Sequence, residues 1–243
     1  MKLATRWYSE RLEQEVNVVR WGTVGVPVLL FPTAGGDAEE CERFLMLKVL
    51  APLLETERIK VYACDSVAGR VWIDGESSGS FRGAVQNRFD AFVYHELVPA
   101  IRTDCRTPDI EIITAGASIG AFNALAALCR HPDVFKLAIC MSGTYDLTRW
   151  MGGEYTPDFH VSSPVHFIPK MGEGAHLAKL RERFVLLPTG EGRWEDPAQS
   201  WQVAHVLGAK GIPNRVDLWG KDKDHDWMTW REMLPFYLDK MVP

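Results

Sequence analysis

The sequence predicts an α/β fold: a sheet of about eight mostly parallel strands with helices on both faces. Three observations predict it. Short, continuous apolar runs recur along the chain, stretches with helical spacing lie between them, and no repeat or low-complexity linker interrupts the alternation. The composition agrees, since the 243 residues are 47% hydrophobic and 24% charged, close to the average of folded domains. A net charge of −5 offers no general attraction to nucleic-acid phosphates or anionic lipid, so neither partner is expected. No apolar run is long enough to span a bilayer, and Met1 to Arg20 lacks the apolar segment of a signal peptide. Cys41, Cys64, Cys105, Cys129 and Cys140 are scattered and form no CxxC pair. That usage fits a reduced, cytoplasmic protein.

Taken in order, Arg6 to Leu12 and Val16 to Trp21 read as a β-hairpin. Val26 to Phe31 is a continuous apolar run, as in a strand buried on both faces. Ile59 to Cys64, Ile110 to Thr114, Phe135 to Cys140, Phe184 to Leu187 and Arg215 to Trp219 complete the strands. Helical patterns cover Asp37 to Leu54, Phe89 to Arg102, Ser118 to Arg130, Pro197 to Lys210 and Trp227 to Lys240. About eight strands behind a leading antiparallel hairpin is the plan of the α/β-hydrolase fold. Residues 1–243 are read as one such domain. The stretch 144–183 lacks clear periodicity and is rich in Gly, Pro and aromatics, so it reads as an insertion able to cap a site.

The strongest local signal is Gly116-Ala-Ser118-Ile-Gly120. A GxSxG string alone occurs often by chance. Here an apolar strand runs into it and a helical pattern leaves it, the setting a nucleophile elbow requires. The tight turn lifts the serine hydroxyl above the sheet edge, and a Cβ two residues before or after the serine would clash.

A serine hydroxyl needs a base, and neutral imidazole is the usual one. His225 alone among the seven histidines falls between a late strand and the final helix. A carboxylate after the preceding strand should orient that imidazole. The loop offers Glu191, Glu195 and Asp196. Glu191 sits at the strand end, so Asp196 is the expected acid, with Glu195 the alternative. The order Ser118, Asp196, His225 is that of α/β-hydrolases. Two backbone N–H groups must face the developing oxyanion. One is the Ile119 amide at a helix N-terminus. The other comes from Phe31-Pro-Thr-Ala-Gly-Gly-Asp37, where Pro32 has no N–H, leaving Thr33 or Ala34.

These residues resemble the branch of the α/β-hydrolases that holds esterase D (S-formylglutathione hydrolase), feruloyl and enterochelin esterases and the mycolyltransferases. The likeness covers most of the chain. It rests on Gly116 to Ala121, on His95-Glu-Leu-Val-Pro-Ala-Ile101, on Met141-Ser-Gly143, and on His225-Asp-Trp227 with Trp230. It implies Ser118 as nucleophile, His225 as base and the Thr33 amide as an oxyanion donor. Esterase D relatives often place the acid where this chain has Arg193, which cannot serve. The longer mycolyltransferase-like loop puts it at Asp196.

The chain is therefore expected to be a serine carboxylesterase acting on a small-molecule ester through an acyl-enzyme, with no cofactor and no metal. The same triad could serve an acyltransferase, or the fold could be an inert binding protein. Trp194 and Trp227 are expected to line an apolar or aromatic acyl pocket, with Trp150 nearby. Asp222-Lys-Asp224-His-Asp226 begins like a calcium loop, but Trp227 and Met233 stand where Gly and Glu are needed. No HExxH or paired Cys/His spacing suggests zinc. The sequence is compatible with a homo-oligomer.

Overall fold

The computed structural model describes all 243 residues. Eight strands form one sheet: β1 (Lys2–Ser9), β2 (Gln14–Trp21), β3 (Val26–Phe31), β4 (Ile59–Cys64), β5 (Ile112–Ala117), β6 (Phe135–Met141), β7 (Phe184–Thr189) and β8 (Asn214–Leu218). Their spatial order is β1-β2-β4-β3-β5-β6-β7-β8. The β1/β2 and β2/β4 pairs are antiparallel and the others parallel. This is the expected α/β-hydrolase plan. The central strands β4 and β5 are buried along their whole length, which is why they are mostly apolar, Lys60 and Thr114 being buried polar exceptions.

Successive residues of a strand face opposite sides of the sheet, and the two cores follow that alternation. On one side Tyr62 and Leu187 pack with Phe89, Phe92, Leu125 and Leu207. These come from α2 (Gly79–Phe92), α4 (Ile119–Arg130) and α5 (Pro197–Gly208), with α1 (Val67–Ile73) and α3 (Val98–Cys105) on the same side of the chain path. On the other side Val61, Ile113 and Ile139 pack with Met233, Leu234 and Tyr237 of α6 (Trp227–Met241). Every residue of α4 from Ile119 to Cys129 is buried. Its outer flank is covered by Trp72, Leu147, Met151 and Phe159.

Some boundaries differ from the sequence reading, for local reasons. The first strand runs Lys2–Ser9 rather than Arg6 to Leu12, because the hairpin turns through Glu13 in the left-handed region (φ 54). The helix read over Asp37 to Leu54 is three short helices, Glu40–Arg43, Met46–Val49 and Ala51–Glu55. Leu45 breaks the first junction with φ 63, and Pro52 opens the third. The helix read from Phe89 starts ten residues earlier, at Gly79, with the Ser78 side chain accepting the Phe81 amide at 3.2 Å as N-cap. A π-turn, Val93–Leu97, joins α2 to α3. Glu96 in it accepts hydrogen bonds from Trp7 Nε1 and Ser9 Oγ, so it ties the hairpin to the helical layer. Residues 144–183 hold only short helical turns, several opened by Pro157, Pro164 or Pro169. No helix is long and apolar enough to cross a membrane.

Candidate active site

The carboxyl ends of β3, β5, β6, β7 and β8 lie along one edge of the sheet, where α/β folds gather their functional loops. Ser118 follows β5 with φ 57 and ψ −122, a sparsely populated conformation that costs about 1–3 kcal/mol. Two glycines allow it. A Cβ on Gly116 would come within 2.3 Å of the Gly120 carbonyl, and one on Gly120 within 2.6 Å of the Phe31 and Pro32 carbonyl oxygens. The Ser118 amide donates to Met141 O at 3.1 Å, and Ser118 O accepts from the Ala121 and Thr144 amides. The elbow is thus pinned to β6 and the loop after it.

His225 and Ser118 line the same cavity of about 300 Å³, with Ala34, Ile119, Trp150 and Trp194. The loop carrying the imidazole and the loop after β7 are bonded together. Glu191 N donates to Gly220 O, Gly192 N to Lys223 O, and His225 N to Arg193 O, while Arg193 N donates to Asp224 Oδ1 at 2.7 Å. Gly190 makes this approach possible, since a Cβ there would lie 2.1 Å from Lys223 O. The acids flanking His225 have structural roles. Asp224 holds the Arg193 amide, and Asp226 caps α6 by accepting the Met228 and Thr229 amides.

The carboxylate behind the ring is Glu195. Its Oε2 lies 3.7 Å from His225 Nδ1, and its side chain is 1% exposed. That is an ion-pair distance, longer than a hydrogen bond; such contacts tighten in substrate complexes. Ser142 Oγ donates to Glu195 Oε1 at 2.5 Å and Thr189 Oγ1 to Oε2 at 3.1 Å. Trp230 Nε1 in turn donates to Ser142 Oγ at 3.0 Å, and the Trp230 ring stands edge-to-face with His225 at 5.1 Å. One hydroxyl therefore joins the acid to the indole that packs on the base. Ser142 has φ 46, a second strained residue, and its amide is fixed to Pro188 O at 2.8 Å.

Three expected placements differ. Asp196, the expected acid, lines the cavity but makes no ion pair with His225. It occupies the N-cap position of α5, immediately before Pro197, and its side chain makes no capping bond. The Thr33 amide, the expected oxyanion donor, is already occupied. It donates to Glu40 Oε2 at 2.7 Å, and the Thr33 hydroxyl donates to Oε1 at 2.5 Å. Burial raises the Glu40 pKa against the lowering effect of those two bonds. The next residue, Ala34, borders the cavity. Its N–H is free, because Thr33 to Gly36 form a turn closed by Gly36 N donating to Thr33 O at 3.1 Å. The Ile119 amide sits at the first position of α4, where N–H groups lack intrahelical partners. Trp227 does not border the cavity; it stacks on Phe44 at 4.9 Å. Trp194 does border it, with φ 68 and 81% exposure.

Ser118 Oγ makes no hydrogen bond to His225 in this structure, so the arrangement is a cavity with the hydroxyl and the imidazole on its walls. Nowhere does the chain bring together three His, Cys, Asp or Glu side chains able to hold a metal ion. A hydroxyl on a strained elbow, an imidazole backed by a buried carboxylate and two amides free to face an oxyanion suit acyl transfer to serine.

Residues 75–238 match the model of the family described as Putative esterase. The chain belongs to that esterase family. It is an esterase. No curated protein gives a significant match to this esterase. Among solved structures, a ferulic acid esterase superposes with a TM-score of 0.76 at 17% identity, covering 98% of this chain and 95% of that one. The S-formylglutathione hydrolase of Agrobacterium tumefaciens gives 0.74 at 12%, covering 99% and 94%. Mycobacterium tuberculosis MPT51 gives 0.69 at 18%, covering 98% of each. At these identities the likeness is one of fold.

Proposed function

We propose that the chain hydrolyses a small carboxylic ester through an acyl-enzyme, with Ser118 as nucleophile, His225 as base and Glu195 as the acid that orients it. The observation that carries this reading is the shared cavity of Ser118 and His225 with Glu195 buried behind the ring. Ser118 Oγ attacks the ester carbonyl carbon and His225 Nε2 takes its proton. The amides of Ile119 and Ala34 receive the oxyanion. Collapse expels the alcohol, which takes the proton back from the imidazolium. Water then repeats the sequence in reverse, releasing the acid and restoring the serine. Glu195 holds the ring by Nδ1 and stabilises the imidazolium.

The cavity bounds the substrate. At about 300 Å³, walled by Ile73, Trp150 and Trp194, it suits a compact ester with an apolar or aromatic acyl group. Thr144, Arg149 and Trp150 come from the segment 144–183, which on this reading serves as a partial cap. Five unpaired thiols support a reducing compartment such as the cytoplasm.

Product analysis tests the reading. Short-chain and aryl p-nitrophenyl esters should be hydrolysed with a burst of nitrophenol followed by a steady rate, the free acid being the final product. Added alcohol should divert only a minor share of acyl groups. If the new ester dominates at low alcohol concentration, the chain is an acyltransferase instead.

A further inference from the structure

The amino ends of the parallel strands lie opposite Ser118, and there the chain has a cavity of about 840 Å³. Arg20, Arg58, Lys60 and Arg106 line it against Glu57 and Asp104. Arg58 is fully engaged with Asp239 and with the carbonyls of Val242 and Pro243. Deeper in the wall, Lys60 is held by Asp104, its Nζ donating to the Asp104 carbonyl at 3.2 Å as well as to the carboxylate, whereas Arg20 has only a distant share of that carboxylate.

The sheet register creates this pair. Arg20 on β2 stands opposite Tyr62 on β4, and Lys60 is two residues before Tyr62, on the same face. Helix α3 lays Asp104 over them. Asp104 Oδ2 receives Lys60 Nζ at 2.6 Å and the Tyr62 hydroxyl at 2.6 Å. Burial alone would raise the Asp104 pKa, but those two donors hold it below the usual carboxylate range. Arg20 gets little of that carboxylate, with Nε 3.8 Å away.

Arg20 is only 9% exposed, and its Nε is enclosed with no hydrogen-bond partner. No protein acceptor takes a hydrogen bond from any part of its guanidinium, which carries five N–H donors. Two buried cations thus share one carboxylate. A buried cation whose only counterion lies 3.8 Å away and is shared with Lys60 is costly. A second, smaller trough of about 140 Å³ also borders Arg20 and Asp104 and is otherwise lined mainly by apolar side chains, among them Trp7, Val18 and Leu97.

We propose that Arg20 and Lys60 form a binding site for the oxyanion group of a small molecule, a carboxylate or phosphate, separate from the catalytic cavity. The guanidinium supplies a forked donor pair, Lys60 supplies a point charge, and the apolar trough accepts a short alkyl portion.

Thermal unfolding with inorganic phosphate, with hexanoate and with chloride at matched ionic strength tests this. Phosphate or hexanoate should raise Tm saturably in the millimolar range while chloride does not. A stronger effect of phosphate assigns the site to phosphates, and a stronger effect of hexanoate assigns it to carboxylates with a tail. Ser118→Ala should respond as the parent does, which separates this site from the catalytic cavity. Arg20→Met should weaken binding about tenfold or more, the size expected for losing charged hydrogen bonds. Should Arg20→Met fail to fold, Arg20→Lys keeps the charge without the fork and should also bind about tenfold more weakly. No saturable rise over chloride, or an undiminished rise in a folded Arg20 variant, overturns the proposal.

Discussion

Replacing Ser118 by alanine should lower kcat/KM for a short p-nitrophenyl ester by at least about 10³-fold, the loss expected when a triad member is removed. The protein should remain folded. Alanine removes one oxygen from a residue whose side chain makes no hydrogen bond, and the elbow is held by backbone bonds from the Ser118 amide to Met141 and from Thr144 to Ser118 O. Such a variant should keep the parent's circular dichroism and unfolding midpoint to within about 1 kcal/mol. Alanine even shares serine's intolerance of the φ of 57, so strain is not traded between the two. Activity retained by a folded Ser118→Ala protein would mean that hydrolysis takes place elsewhere.

The second large effect separates two neighbours. Glu195→Gln should lower kcat about 10²- to 10⁴-fold, because an amide behind the ring can stabilise the wrong tautomer and cannot balance the imidazolium. Asp196→Asn should leave kcat within about twofold, the change typical of an exposed position. The contrast follows from burial. Glu195 is 1% exposed, receives Ser142 and Thr189, and lies 3.7 Å from His225, whereas the Asp196 side chain is exposed and makes no capping bond. Ser142 is a positioning residue in this scheme, because its hydroxyl joins Glu195 to Trp230. If Asp196→Asn is the crippling change and Glu195→Gln the mild one, the acid has been misassigned.

How much of this was legible in the sequence varies with the physics involved. The sheet was readable because strands buried on both faces leave unbroken apolar runs, as Val26 to Phe31 does. The elbow was readable because Gly116 and Gly120 are demanded by contacts that any Cβ would violate. Which carboxylate would stand nearest the ring was not readable from residue type, since Glu195 and Asp196 differ by one position and one methylene. A neglected signal lay in Asp196-Pro197, which reads as a helix N-cap followed by proline at the first helical position. Assigning Asp196 to that position leaves Glu195 for the ring.

The oxyanion loop carried a similar trap. Nothing in Pro32 to Asp37 indicates that Glu40 folds back to take the Thr33 amide and hydroxyl. Ser142 was missed as a site residue because a serine after a strand has many ordinary uses. Its significance comes from two distant partners, Glu195 and Trp230, brought together only in the fold. Trp227 was overvalued for the opposite reason: adjacency to His225 in sequence does not turn its ring toward the cavity, and stacking on Phe44 draws it away.

The proposed reaction requires that the imidazole across the cavity activate Ser118. Reaction with a fluorophosphonate, followed by intact mass and peptide mapping, tests it most directly, since an ordinary serine is inert to the reagent. One adduct per chain is expected, located on Ser118, formed rapidly in the parent and greatly slowed in His225→Ala. A chain that takes up no label, or carries it on another residue, would contradict it.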